Sequence, residues 1–395
     1  MGIELTTEQI HAVYNAETWF RSPSSKQVFE ISGPAGSGKT TLVLYIIEHL
    51  GLKIKDVLFC AYMGKAACQL IRNGLPAQTI HSAIYIAEKK YEKNEYGSVI
   101  KDEFGRPKKK MVFRKKQVLD KKYKLIVVDE GSTVDSNIAA DLMSFGIPMI
   151  VLGDLNQLPP VFGRSVFLVN PDVILTKVMR QNEGNPIIYL SQQVLEGKKL
   201  EIGVYGKSSV ILQRNLKIEH FKKADTVLTC TNALRGSVND MFREKIKRIS
   251  RLDFPAIGEK VVCRKNNWKK CVLDTFYLTN GTIGYIEEID KSTFDGKTFE
   301  MDFRPDFLEA TCFKNLVVDY KHLITPVGST ENNELGYFFN DKFEYAYAIT
   351  VHISQGSQYD NVLFLSDDMM GNTQDRRKML YTAITRASKV LTIVI

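Results

Sequence analysis

Apolar runs of strand length alternate with helix-like segments through the first half of the chain. Residues 6–20 read as a helix capped by Thr6 or Thr7. QVFEISGPAGSGKTTLVLYIIEHL then reads as strand, glycine-rich loop and helix, DVLFCAY as a strand, and GKAACQLIRNG as a helix. KLIVVDE and IPMIVLGD are further strand-length runs, each ending in acidic residues. This alternation predicts an α/β fold, with a parallel sheet covered by helices on both faces. Open sheets of that kind place ligand chemistry at the carboxyl ends of their strands.

The pattern breaks twice. Residues 85–124 are dense in Lys and Arg and turn at Gly105-Arg106-Pro107, so they cannot supply a buried central strand. They read as a basic hairpin or small lobe standing off the first domain, or as a solvated charged loop. Strand and helix alternate again from 174 to about 265, with DTVLTCTN a strand and ALRGSVNDMFREKIKR a helix. Residues 266–342 change to short strands between turns (YLTNGTIGYIEEID, TFEMDF, NLVVDY), which predicts a small β-rich insert. FEYAYAITVHISQG, NVLFLSDD and KVLTIVI return to the α/β pattern. The expected domains are 1–175, with the hairpin over 85–120; 176–265 together with 343–395; and the insert at 266–342.

Size agrees with more than one core, since 395 residues exceed the roughly 250–300 at which single cores stop growing. A net charge of +8 favours a polyanionic partner. The six cysteines (Cys60, Cys68, Cys230, Cys263, Cys271, Cys312) form no CxxC pair, which argues against a zinc or redox site and predicts buried, reduced thiols. MGIELTTEQI lacks the features of a secretory signal, and no apolar run reaches the roughly 18 residues of a membrane span. The expectation is a soluble, cytoplasmic protein.

GPAGSGKTT fits G-x-x-x-x-G-K-[ST] in the required strand-loop-helix context. Gly33, Pro34, Ala35, Gly36, Ser37 and Gly38 would wrap phosphate oxygens in backbone N–H groups at a helix N-terminus. Lys39 would neutralise the β and γ phosphates of ATP, Thr40 would ligate Mg²⁺, and Thr41 completes the loop. Such a loop specifies a nucleotide and leaves the work undefined. VVDEGS narrows it: Asp129 can hold Mg²⁺ while Glu130 polarises an attacking water, a base that a kinase does not need. In GDLNQLPPV, Asp154 and Gln157 can reach the γ-phosphate and its water.

With these motifs in order, the chain resembles the RecD and Dda branch of superfamily 1 helicases over most of its length. TTEQ, with Gln9, is similar to that family's adenine-reading element; AYMGKAACQL to its motif Ia; and TIHSAI to its TIH motif. LTKVMRQNEGNPIIYLSQQVLEG resembles the stretch that opens the second motor domain, with Arg180 as an arginine finger. LTNGTIGYI resembles the NG-x-x-G element of the small insert. YAITVHISQGSQYDNV resembles motif V, which puts Gly356 at the nucleotide, and LYTAITRASKVLTIV resembles motif VI, with Arg386 as the second finger. The likeness implies two RecA-like motor domains with ATP between them, a pin-like hairpin in the first, a small barrel-like insert in the second, and 5′ to 3′ translocation. Two positions depart from the family pattern: Ile353 stands where motif V carries lysine, and Tyr62-Met63 where motif Ia carries Pro-Thr.

The expected partner is single-stranded DNA and its junctions with duplex, together with replication or recombination proteins around a monomeric enzyme. Strand contacts are expected at Tyr62, Lys65, Thr79, His81, Asn232, Thr350 and His352, and Tyr62, Phe113, Trp268 and Tyr345 offer either stacking faces or core. The hairpin would either split a duplex or hold it by its phosphates. Two other readings fit the motor motifs: an RNA-directed superfamily 1 helicase, and a nucleotide-gated subunit that unwinds nothing alone.

Overall fold

The computed structural model describes residues 5–22, 26–101, 105, 107, 109–159, 165–177, 184–250, 253–273, 276–308, 310–325, 340–366 and 373–395. Helix α1 (Thr7–Arg21) starts at a reciprocal cap, in which Thr6 Oγ1 accepts the Gln9 N–H and Gln9 Oε1 accepts the Thr6 N–H. There follow β1 (Val28–Ser32), α2 (Lys39–His49), β2 (Val57–Ala61), α3 (Gly64–Arg72), β3 (Ala77–Thr79) and α4 (Ile80–Ile84). A hairpin of β4 (Tyr85–Tyr91) and β5 (Lys109–Lys115) comes next, then β6 (Leu125–Asp129), α5 (Ser136–Met143), β7 (Met149–Gly153) and β8 (Val173–Ile174).

Six of these strands form one parallel sheet in the order β3-β2-β6-β7-β1-β8. Its central strands β2, β6 and β7 are apolar up to their last residue because each face is covered, whereas β1 also buries Glu30 and Ser32. Alternate residues serve the two faces: Phe59, Val127 and Ile150 pack with Leu42 and Ile46 of α2, while Leu58, Ile126 and Val151 pack with Ile138 and Leu142 of α5. The hairpin stands apart as a two-stranded antiparallel sheet, in register from Tyr85↔Lys115 to Tyr91↔Lys109. Of its basic cluster, Lys108 lies outside the described residues.

The second sheet draws on α6 (Pro186–Leu195), β9 (Gly203–Tyr205), β10 (Ser208–Ile211), α7 (Ile218–Lys223), β11 (Thr226–Thr229) and α8 (Asn232–Met241). After the insert strands β12 (Lys260–Cys263), β13 (Asn267–Val272), β14 (Phe276–Leu278), β15 (Ile283–Asp290), β16 (Thr298–Pro305) and β17 (Phe313–Asp319), with α9 (Tyr320–Ile324) and β18 (Phe343–Tyr345), come β19 (Ala348–Thr350), β20 (Tyr359–Leu365), α10 (Thr373–Ile384) and β21 (Ala387–Val394). The order is β19-β11-β20-β21-β10-β9, parallel except for the edge strand β9.

Within the insert, β17-β16-β15-β12-β18 form one antiparallel sheet and β13-β14 a separate pair. That sheet takes in β12 and β18, which flank 266–342 on either side, because their apolar residues Val261, Cys263, Phe343 and Tyr345 belong to the insert's core. At Gly284 a Cβ would stand 2.1 Å from the Arg304 carbonyl oxygen, so the approach of β15 to β16 requires glycine there. Cys60, Cys68 and Cys263 are buried, Cys230 and Cys312 half-buried, and all six thiols are free. Uniform burial fails at Cys271, which is exposed on β13 because a two-stranded ribbon covers only one face. Among the described residues, no helix is long and apolar enough to cross a membrane.

Two buried contacts are among those that fasten the parts together. Leu158, from the loop after β7, is buried among Leu190, Tyr359, Tyr381 and Ile384 of the other domain, worth about 1.5–3 kcal/mol for a leucine side chain. Arg243, just beyond α8, donates from Nε to Glu259 Oε1 at 2.8 Å and from Nη2 to Oε2 at 3.2 Å, with its guanidinium 4.2 Å from the Tyr345 ring centroid. Both partners of this pair are buried, and Tyr347 also donates to Glu259. Removing one side strands the other charge, so Glu259→Ala should cost about 3–5 kcal/mol, read as a lowered midpoint of urea denaturation.

Candidate functional site

The parallel order sets β1, β7 and β6 side by side, so the loops leaving their carboxyl ends share one cleft edge. The Gly33 N–H donates to the Gly153 carbonyl at 3.0 Å, and the Leu155 N–H donates to Ser32 Oγ at 3.0 Å, tying the phosphate loop to the loop after β7. Gly36 and Gly38 both have φ of 81°, which glycine adopts without strain, and Gly38 caps the eleven-residue α2 in that conformation. The backbone therefore presents a helix N-terminus over Pro34–Ser37. Lys39 Nζ donates to the carbonyls of Gly33 at 2.7 Å and Pro34 at 2.9 Å. Thr40 and Thr41 lie in the first turn of α2.

Asp129 ends β6, and Glu130 follows in the left-handed region at φ 54°, ψ 41°. A non-glycine residue held there costs on the order of 1–3 kcal/mol and turns the side chain off the strand direction. Burial, then the neighbouring Glu130 charge, pushes the Asp129 carboxyl above the ordinary aspartate range, and Lys39 opposes the shift. Ser37 Oγ, Glu130 Oε2, Ser132 Oγ and Gln157 Oε1 are buried polar atoms without a hydrogen-bond partner, all on the loops after β1, β6 and β7. Leaving such a group unmet costs about 1–3 kcal/mol. Donors at the phosphate loop and unmet oxygens at the acidic loops fit a bound triphosphate with a hydrated divalent cation.

Gln9 reaches this edge through α1, where Nε2 donates to the Ser37 carbonyl at 3.3 Å, so its amide is engaged with Thr6 and Ser37 beside the phosphate loop. Asp154 does not point freely into the cleft: Oδ1 accepts the Asn156 N–H, and Oδ2 accepts the Tyr381 hydroxyl at 2.7 Å. Arg386 follows α10 and is buried, donating from Nε to the Thr382 carbonyl at 3.2 Å, from Nη1 to the Ser357 carbonyl at 3.1 Å and from Nη2 to Thr385 Oγ1 at 3.2 Å. All three acceptors belong to its own domain. Arg180 lies outside the described residues. Gly356, expected at the nucleotide, has a φ of 68°, and a Cβ there would stand 3.9 Å from Met63 and Ala66 of the first domain.

The strand candidates fall on corresponding edges of the two sheets. Tyr62 and Lys65 follow β2, Thr79 ends β3 and His81 follows it, while Asn232, Thr350 and His352 lie at the ends of β11 and β19. Thr79 caps α4, its Oγ1 accepting the Ser82 N–H. Burial holds the imidazoles of His81 and His352 below the usual histidine range, so both are neutral at pH 7. Three of the four aromatic candidates converge: His81 lies 5.9 Å from Tyr62, 6.0 Å from Phe113 and 5.4 Å from Trp268 between ring centroids. Phe113 of the hairpin meets Trp268 of the insert edge-on at 4.4 Å. Tyr345 is core instead.

Lys65 is spent differently from the expectation. Its ammonium pairs with Asp306 of the insert at 2.9 Å and lies 4.8 Å from the Tyr359 ring centroid, so a carboxylate already meets the charge offered to a strand. Sequence reasoning also passed over Leu158, Gln355, Tyr381 and Thr382. A leucine inside the polar loop GDLNQLPP was the available signal, since an apolar residue there needs a partner surface.

Residues 4–215, more than half of the chain, match the model for the AAA domain. The chain belongs to the AAA domain family. Residues 345–394 of this AAA-domain chain also match the UvrD-like helicase C-terminal domain. It is 25% identical to the ATP-dependent RecD2 DNA helicase of Deinococcus radiodurans over 386 residues, covering 90% of this chain and 45% of that protein. It is 29% identical to the ATP-dependent DNA helicase Dda of Enterobacteria phage T4 over 273 residues, covering 62% of this chain and 58% of Dda. The chain thus spans about half the length of these relatives. The fold is that of Bacteroides Pif1 bound to single-stranded DNA (TM-score 0.51, 18% identity, 99% of this chain and 92% of that one) and of Pif1 from Candida albicans (TM-score 0.50, 18% identity, 100% and 94%). The chain is thus similar in sequence to two proteins named as ATP-dependent DNA helicases.

If the cleft edge is the hydrolytic site, Lys39→Ala abolishes ATP turnover and leaves strand affinity unchanged, and Glu130→Gln binds ATP without hydrolysing it. Phosphate release and filter binding read the two quantities separately, and retained turnover in either variant removes that residue's role.

Proposed function

We propose that the chain is an ATP-dependent DNA helicase that moves 5′ to 3′ along single-stranded DNA and parts duplex with its basic hairpin. One observation carries the reading: a phosphate loop and an acidic loop rich in unmet polar atoms open beside a second parallel-sheet domain that is fastened to the same edge. Phosphoryl transfer depends on placement and charge. Here Lys39 and the N-terminus of α2 would bind phosphate, Thr40 and Asp129 would hold Mg²⁺, which would supply charge neutralisation at the phosphates, and Glu130 with Gln157 would orient the water. Arg386 and Arg180 are proposed as the cations brought by the second domain, which ties hydrolysis to closure and so turns chemistry into movement.

A strand across both domains would run over the corresponding edges β3-β2 and β19-β11, past Thr79 and His81 and then Thr350, His352 and Asn232. RecD2 and Dda are both named as DNA helicases, which favours DNA over RNA as the track. The Phe113–Trp268 contact supports the hairpin as a wedge, because it braces β5 against the insert.

On duplexes with a single 5′ or 3′ overhang, the purified chain should displace the strand only from the 5′-tailed substrate, and poly-dT should stimulate its ATPase more than poly-U. Displacement from the 3′ tail alone reverses the polarity, stronger stimulation by poly-U indicates an RNA track, and stimulated ATPase without displacement indicates a nucleotide-gated subunit. Deleting 95–112 should abolish unwinding while much of the DNA-stimulated ATPase survives; equal loss of both would remove the wedge.

A further inference from the structure

Leu158 belongs to the first domain by chain order and to the second by contact. Its side chain is buried in the second domain's core. Its N–H donates to Thr382 Oγ1 at 3.0 Å, and its carbonyl accepts from Gln355 Nε2 at 2.7 Å. Four residues earlier, Asp154 accepts the Tyr381 hydroxyl. The loop between 154 and 158 is therefore gripped at both ends by the other domain, and Gln157, whose buried Oε1 meets no protein donor, sits directly beside one grip. The same Thr382 whose hydroxyl takes the Leu158 N–H offers its carbonyl to Arg386 Nε at 3.2 Å. Gln355 in turn follows His352, with its N–H donating to the His352 carbonyl.

We infer that Leu158 is a plug through which the second domain positions Gln157, making Gln355, Tyr381 and Thr382 positioning residues for hydrolysis. The inference rests on the ATPase reading above and adds to it the route of coupling. Docking of the plug fixes both ends of a short loop, so the carboxamide next to it takes one position. Withdrawal of the second domain frees Leu158 and the Asp154 carboxylate, while the Leu155 N–H bond to Ser32 Oγ and the Gly33 N–H bond to the Gly153 carbonyl keep the start of this loop on the phosphate loop. A strand lying on His352 biases the docked state through the adjacent Gln355. Nucleotide affinity then belongs to the first domain alone, and turnover needs both.

Thr382→Val removes the acceptor at nearly constant volume. The expected result with the full chain is a loss of kcat of about three- to tenfold, the size of one hydrogen bond, with KM for ATP unchanged, affinity for oligo-dT lowered by no more than the same factor through reciprocal coupling, and recovery in Thr382→Ser. In a Gln157→Ala background the same substitution should cost less than about twofold, because residues that act as one unit are not additive. Tyr381→Phe repeats the measurement should Thr382→Val fail to fold. Absence of hydrolysis by the unsubstituted chain sinks the ATPase reading itself. Hydrolysis at full kcat in both variants, or losses that multiply with Gln157→Ala, overturns the plug alone.

Discussion

The arrangement of this molecule depends on one buried leucine. A parallel sheet with a phosphate loop is complete in itself, and so is the second sheet behind α6 and α10; what makes them a single device is the insertion of Leu158 from one into the core of the other. Apolar burial is non-directional, so it brings the surfaces together without fixing their angle. The hydrogen bonds from Thr382, Gln355 and Tyr381 supply the direction. Because those bonds are buried, each is intolerant of a misfit that water would otherwise absorb.

The insert is attached by charge and by apolar packing together. Arg243 and Glu259 join it to α8, and it meets the first domain through the Lys65–Asp306 pair and through a small apolar cluster of Ala66, Ala67 and Cys68 with Phe276 and Phe307. Asp306 Oδ1 remains without a partner, and the Lys65 ammonium is partly covered by Tyr359.

What could be read in the sequence was what is built from neighbours along the chain. The phosphate loop needs Gly33 through Thr41 in order, the start of α1 needs a cap at Thr6 or Thr7, and Asp129-Glu130 needs only the end of an apolar run, so all were legible, although the part of Gln9 in that cap was not. The alternation into parallel sheets was legible for the same reason. Partners of distant residues were not: Leu158 meets Thr382 across 224 positions, Asp154 meets Tyr381 across 227, and Lys65 meets Asp306 across 241. Motif chemistry alone had suggested Asp154 for the γ-phosphate and Lys65 for a strand. A carboxylate or an ammonium announces its charge in a sequence and keeps silent about which neighbour the fold will give it. The edges of the insert were blurred because β12 and β18 are as apolar as the sheet strands they adjoin.

Gly284 illustrates how a signature can be shared for reasons unrelated to what a protein grasps. It stands in the stretch LTNGTIGYI, yet its side-chain position is filled by the Arg304 carbonyl of the neighbouring strand. Its recurrence in kindred sequences would testify to two ribbons pressed together at a fixed offset. Anyone using that letter to trace where a polymer is touched would be mapping masonry instead of a handhold.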